Sequence, residues 1–160
     1  MINDKHYSTK YNVKEKTFKL DILARGIIFD KNKFLVCKNS TNTFLPGGHL
    51  EFLDDLKETL RREIQEELGI ECVVNNYIGC VECIWEEKNI SHQEIDHIFI
   101  VNGIHEKDEI QSKENHIKFY WIEAKDMEKE NFLPKSMRKI IENMFANKNQ
   151  IEYYSEVKIE

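Results

Sequence analysis

The spacing of apolar residues changes period along the chain, and each change marks an expected element. From Phe18 to Phe29 the pattern is strand-like, with β-branched Ile22, Ile27 and Ile28. Asp30-Lys31-Asn32 reads as a turn into a second strand, Lys33 to Lys38, where Phe34 and Val36 alternate with Leu35 and Cys37. A polar loop, Asn39 to Thr43, leads to Phe44-Leu45-Pro46-Gly47-Gly48. Leu56, Leu60, Ile64 and Leu68 then recur every four residues, which predicts an amphipathic helix ending at Gly69. Strands are expected over Cys72 to Tyr77, Ile78 to Trp85 and Glu94 to Ile104, the last two as a hairpin around a loop from Glu86 to Gln93. Gly103 marks an expected bulge, and Ile117 to Ile122 a further strand. Pro134 is placed to open a final helix carrying Met137, Ile140, Ile141, Met144 and Phe145.

This order implies an α/β chain with a mixed sheet packed between helices. The working division is an N-terminal arm over residues 1–17, one domain over residues 18–147, and a C-terminal tail over residues 148–160. The arm is polar and aperiodic, but Tyr7 and Tyr11 give it a surface to dock on the body or on a second copy, so a homodimer is left open. The tail is polar and expected to fray unless Tyr153 and Tyr154 pin it.

The acids of the first helix change this picture. At about 100° per residue the leucine stripe spans roughly 120° of helix surface; Glu67 falls inside it, Glu63 at its edge, and Glu66 well to the side. A run of acids on a helix is ordinarily a solvated face, yet two of these carboxylates are aimed at the layer that receives the leucines. An unpaired buried carboxylate is very costly, so protonation, an Arg or Lys partner, or a bound cation has to answer for them. Glutamates three and four apart can converge on Mg²⁺ at about 2.1 Å. They can also hold two metals about 3.5–4 Å apart. Arg62 precedes Glu66 by one helical turn and can pair with it. Pro46, Gly47 and Gly48 make a tight turn, an ordinary one or one whose backbone N–H groups, with the helix N-terminus, suit phosphate.

Composition narrows the classes. The net charge is −6, with 32% charged and 41% hydrophobic residues. That balance disfavours wrapping of nucleic acid, and it makes a cation useful to any anionic substrate. Met1 to Lys19 has no apolar export segment and no run is long enough to span a bilayer, so the expectation is a cytoplasmic protein with reduced thiols. Cys80 and Cys83 form a C-x-x-C within a strand, where they point to opposite faces, and are read as structural cysteines.

Gly48, Arg62, Glu63, Ile64, Glu66, Glu67, Gly69 and Ile70 resemble, with no insertion, the Nudix box G-x5-E-x7-R-E-U-x-E-E-x-G-U, where U is a bulky aliphatic residue. The resemblance extends over roughly Phe18 to Phe145 and implies an α/β/α sandwich and metal-dependent hydrolysis of a nucleoside diphosphate linked to another moiety. It implies Glu63, Glu66 and Glu67 as Mg²⁺ ligands (Mn²⁺ as substitute), with Glu63 taking the proton from water, Arg62 orienting the carboxylates, and Gly47 and Gly48 shaping the phosphate loop. Two positions depart from the box. Asp54 replaces its first glutamate and is one methylene shorter, and Leu53 stands where many members have glycine. Asp54 is therefore a secondary metal candidate, and either Asp54 or Asp55 can cap the helix. Glu114 occupies the place of an additional loop ligand in some members.

The proline-based signatures of ADP-ribose and NADH hydrolases are absent, which favours a nucleoside triphosphate or a less common conjugate. Trp85, Phe52 and Tyr120 can stack on a base or belong to the core; His49 and His92 can meet phosphate or lie on the surface. The alternative reading, supported by Leu53 and Asp54, is a nucleotide-binding sensor that does not cleave its ligand.

Overall fold

The computed structural model describes residues 8–13, 16–108, 110–148 and 150–159. Its strands are β1 (Ser8–Val13), β2 (Lys16–Asp30), β3 (Lys33–Lys38), β4 (Thr43–Phe44), β5 (Gly47–His49), β6 (Val73–Glu87), β7 (Ile90–Asn102), β8 (Lys118–Glu123) and β9 (Glu152–Lys158). Helix α1 (Leu56–Leu68) falls between β5 and β6, and α2 (Met137–Phe145) between β8 and β9. All nine strands join one mixed sheet with the path β4-β3-β2-β7-β6-β9; β1 and β5 add to β2, and β8 to β3. The pairs β2–β7 and β6–β9 are parallel.

Alternation along the central strands sends side chains to two cores. Ile27, Phe34, Val36, Val81 and Ile98 pack with Met137, Ile140 and Ile141 of α2. Ala24, Ile28, Leu35, Phe99 and Val101 pack with Leu60, Ile64 and Leu68 of α1. The sheet is thus covered on both faces, the sandwich expected from the sequence. Leu60 and Ile64 are fully buried, and burial of such side chains contributes roughly 1.5–3 kcal/mol each.

Several boundaries differ from the expectation. Residues 73–87 form one strand, not two, its register shifting between Val74, Tyr77 and Gly79. Those irregularities sit beside Asn75 and Asn76, whereas Gly103 lies just past the end of β7 at φ 101° and is no bulge. The loop expected over Glu86 to Gln93 shrinks to Lys88-Asn89, both at positive φ, the conformation that matches hairpin twist. Helix α2 begins at Met137; Pro134 precedes it in a turn closed by Met137 N–H donating to Pro134 O at 3.1 Å. The C-terminal segment is not a frayed tail. It forms β9 along β6, with Tyr153 Oη donating to Glu82 at 2.7 Å and Tyr154 packed on the core. The backbone of Ser8–Val13 is strand β1 on β2, so it too joins the sheet; Tyr7 and the side chain of Tyr11 lie outside the described residues. Cys83 is a buried core residue, Cys80 is half-buried, and neither is in a disulfide. Among the described residues, no helix is long and apolar enough to cross a membrane.

Candidate metal and phosphate site

Helix α1 starts at Asp55, whose carboxylate accepts from the N–H groups of Lys57 and Glu58, both at 2.9 Å. Asp55 therefore caps the helix, and Asp54 does not. Glu58 does not return the capping interaction; its carboxylate pairs with Arg61. At the other end Gly69 turns left-handed and its N–H reaches Gln65 O. Between these caps the orientation drawn from the helical wheel is seen in three dimensions. Glu67 is 9% exposed, the Glu63 side chain 16% and the Glu66 side chain 61%.

The two inward carboxylates meet the glycine turn. Gly47-Gly48 is not a free loop but strand β5, paired to Ala24 and Arg25 of β2. A Cβ at Gly48 would lie 2.3 Å from the Glu63 carboxyl carbon, and one at Gly47 would lie 2.1 Å from Ala24 O, with φ 131° besides. Gly47 excludes any side chain, and one at Gly48 would have to displace the Glu63 carboxylate. The Gly47 N–H donates to the Glu67 carboxylate. Burial, then the nearby Glu63 and Glu114, push Glu67 up to about 8, against the opposing influence of Arg25 and that N–H. Glu67 Oε2 is buried with no hydrogen-bond partner among the described residues.

Arg62 supplies positive charge at the rim. Its Nη1 lies 2.8 Å from Glu63 Oε1 and 3.5 Å from both Glu66 Oε2 and Glu51 Oε1, and its Nε lies 3.3 Å from Asp54 Oδ2. The pairing with Glu66 expected from spacing is present, and the shorter contact is to Glu63. Asp54 reaches Arg62 in spite of its short arm, because residues 51–54 form a bend with Leu53 at φ 75°. Leu53 is 92% exposed in a conformation that favours glycine. Glu114 sits near enough to raise Glu67, on a segment tied to α1 by Lys113 N–H donating to Glu67 O at 2.8 Å, while its own carboxylate pairs with His116 at 3.2 Å.

Among the described residues no three acidic, histidine or cysteine side chains converge closely enough to cage an ion as they stand. The donor set nevertheless fits a divalent cation. Glu67 has a buried oxygen without a donor, Glu63 lies against a glycine that leaves it room, and hard carboxylate oxygens are what Mg²⁺ takes.

On the other side of the same turn lies a cavity of about 540 Å³ with walls from Phe44, Leu45, Trp85, Leu133, Pro134 and Met137. Of the sequence candidates for base stacking, Trp85 lines it and is itself stacked on His92, with ring centroids 4.7 Å apart and planes 5° off parallel. Tyr120 instead donates to Glu130 at 2.8 Å, and Phe52 is exposed near α1. His49 stands 3.6 Å from Asp21.

Three residues not singled out from the sequence join the cavity to the turn. Arg25 bridges Asp96 (Nε to Oδ1, 2.9 Å) to the carbonyls of Leu45 (3.3 Å) and Gly47 (3.2 Å), and Glu94, on the cavity wall, lies two residues before Asp96 on the same face of β7. Asp96 is fully buried. The available signal was a lone arginine within the strand Phe18 to Phe29, and acids two apart at the start of the strand Glu94 to Ile104.

The comparisons with known proteins agree with this geometry. The NUDIX domain model matches residues 20–144. The chain is 26% identical over 113 residues to an 8-oxo-dGTP diphosphatase of Buchnera aphidicola subsp. Schizaphis graminum, covering 67% of this chain and 80% of that protein. Its fold is similar to the MutT protein from Methanosarcina mazei Go1, with TM-score 0.61, 24% identity, and 86% and 99% of the two chains covered. It is likewise similar to the mutator MutT protein from Bacillus halodurans, with TM-score 0.62, 16% identity, and 84% and 88% covered. A match over most of the chain is decisive: the protein belongs to the Nudix family and is a pyrophosphohydrolase of that family.

Proposed function

We propose that this chain hydrolyses a phosphoanhydride bond of a nucleoside diphosphate-linked substrate, most readily a nucleoside triphosphate, in a Mg²⁺-dependent reaction (Mn²⁺ as substitute). The observation that carries the reading is Glu67. It is a carboxylate on the core-facing side of α1, with one oxygen unpartnered, beside Glu63 and a turn in which Gly47 admits no side chain. Glu63, Glu66 and Glu67 would hold the cation, with Asp54 and Glu114 as peripheral acids. A cation there neutralises charge on the phosphoryl oxygens and makes water more acidic.

The remaining roles belong to the chain itself. Glu63 takes the proton from the attacking water. Arg62, in contact with four carboxylates, sets their orientation. Gly47 and Gly48 bring backbone close to phosphate, and the cavity beyond Leu45 receives the nucleoside. The 8-oxo-dGTP diphosphatase and MutT likenesses point to a triphosphate of a purine nucleoside as the first substrate to try.

A nucleotide panel with Mg²⁺, read by release of phosphate or pyrophosphate, tests this. Metal-dependent turnover of at least one nucleotide is expected. Absence of turnover, with one ligand still raising the melting temperature, would instead establish a non-cleaving sensor.

A further inference from the structure

Most of the charged groups on the cavity wall, and the Asn42 carbonyl, have partners elsewhere. Asn42 Oδ1 accepts from Asn131 at 3.0 Å, Glu86 from Ser91 at 3.0 Å, and Glu156 from the Ser136 N–H at 3.0 Å and from Lys158. Arg25 is held by Asp96 and two carbonyls. Glu94 remains, and its fixed partner is Asp96. Asp96 spends Oδ1 on Arg25, while Oδ2 is buried with no donor among the described residues. A donor for that oxygen exists when Glu94 carries a proton, its O–H then pointing at Asp96 and its other oxygen left as an uncharged acceptor at the cavity wall.

We infer that Glu94 is the specificity-determining residue of the cavity, accepting a hydrogen bond from the exocyclic amino group of a nucleobase whose ring lies against Trp85. The inference rests on the reading of the cavity as the nucleoside subsite.

The surroundings keep that proton in place. On its own strand Glu94 lies between His92 and Asp96; β2 presents Asp21, paired to Lys19 at 2.9 Å, and Arg25; β6 presents Cys83, and beyond it β9 brings Glu156 with Lys158. Burial, then Asp96, push Glu94 up to about 8, with Arg25 opposing. An amine donor therefore meets a neutral acceptor at pH 7. Ionisation would place a second negative charge beside an already anionic substrate.

The test compares substrates that differ only by the amino group: ATP with purine riboside triphosphate, GTP with inosine triphosphate, and CTP with its 4-deamino analogue. With Mg²⁺ at pH 7, the wild-type protein should favour the amino form of at least one pair by about tenfold or more in kcat/KM. E94Q should keep that ratio, because its amide N–H donates to Asp96 and its carbonyl faces the base. E94L should bring the ratio to about 1. Raising the pH through about 8 should widen the ratio in the wild type, because an ionised carboxylate accepts the amino hydrogen bond more strongly, and leave it unchanged in E94Q. An equal ratio in all three proteins, its loss in E94Q, or no preference in the wild type overturns the inference. Should E94L not fold, the pH profile of E94Q against wild type decides. Should no nucleotide be cleaved, the hydrolase reading falls by itself. The same ratios are then read from monophosphate binding without metal, by quenching of Trp85 fluorescence.

Discussion

Two acids flank the Leu45–Gly48 turn, Glu67 buried and Glu94 half-buried, and they differ in how their charge is managed. Glu94 lies beside Asp96, which is locked to Arg25 in a pair with both side chains nearly inaccessible. Glu67 has Arg25 only at a distance, an unpartnered oxygen, and a second acid, Glu63, whose arginine sits at the exposed rim. The first arrangement is completed from within the chain, by Arg25 on one Asp96 oxygen and by Glu94, once protonated, on the other. The second is arranged to be completed by something that arrives. Both carboxyls are pushed up to about 8 by burial first, so the shift alone does not tell a finished site from a receptive one; the distribution of partners does.

The sharpest way to break this contrast is Glu67→Gln. Turnover should fall by roughly three orders of magnitude at saturating Mg²⁺, in line with loss of a group that positions transition-state charge. Glu67 is raised from 4.5 to about 8 in the fold. The folded protein therefore binds more protons than the unfolded chain between those values, and stability falls as pH rises through that window. The variant escapes that loss, so its melting temperature should exceed that of the metal-free wild type by a margin that grows from pH 5 to pH 8.5. Mg²⁺ should close the gap by stabilising the wild type alone.

Arg25→Met tests the finished side. It strands Asp96 at zero exposure and should cost about 3–5 kcal/mol in urea unfolding. A double variant that also replaces Asp96 by Leu should regain most of that loss, whereas recovery in a variant that keeps Asp96 would contradict the pairing argument. Arg62→Ala should do the reverse. It should change stability by no more than about 1 kcal/mol, because the arginine is a quarter exposed and its partners are reached by solvent, yet lower kcat about tenfold with KM less affected. Equal stability losses at Arg25 and Arg62 would erase the distinction. Leu53→Asn should have the smallest effect, a rise of a degree or two in melting temperature with unchanged turnover, since asparagine tolerates the left-handed φ and removes an exposed apolar side chain.

The receptive side was legible in the sequence because it is local. Glu63, Glu66 and Glu67 lie within five residues on one helix, where a rise and an angle per residue suffice to orient them. The exception within that stretch was Asp54, whose reach depended on the backbone bend at Leu53. The finished side was not legible, because Arg25 and Asp96 are 71 residues apart and meet only once β2 and β7 pair in parallel. Their alternation was visible; their register was not. Strand β9 escaped notice for a similar reason, since its alternation is polar on one face and short, and its pairing with β6 depends on where α2 returns the chain.

The link from Arg25 to Asp96 also has a kinetic side. The turn that carries Gly47 follows β2 after only the short strands β3 and β4, so it can form early, but the guanidinium that fixes its carbonyls is anchored through a strand that comes much later in the chain. Closing a loop of that length must precede the ion pair. A partly folded chain with β2, the turn and α1 in place would then hold the acids of the Nudix box without a settled turn beneath them. Substrate binding becomes a property of the last long-range contact, and a nucleotide titrated during refolding should report the docking of β7 on β2 rather than the formation of the helix that bears the motif.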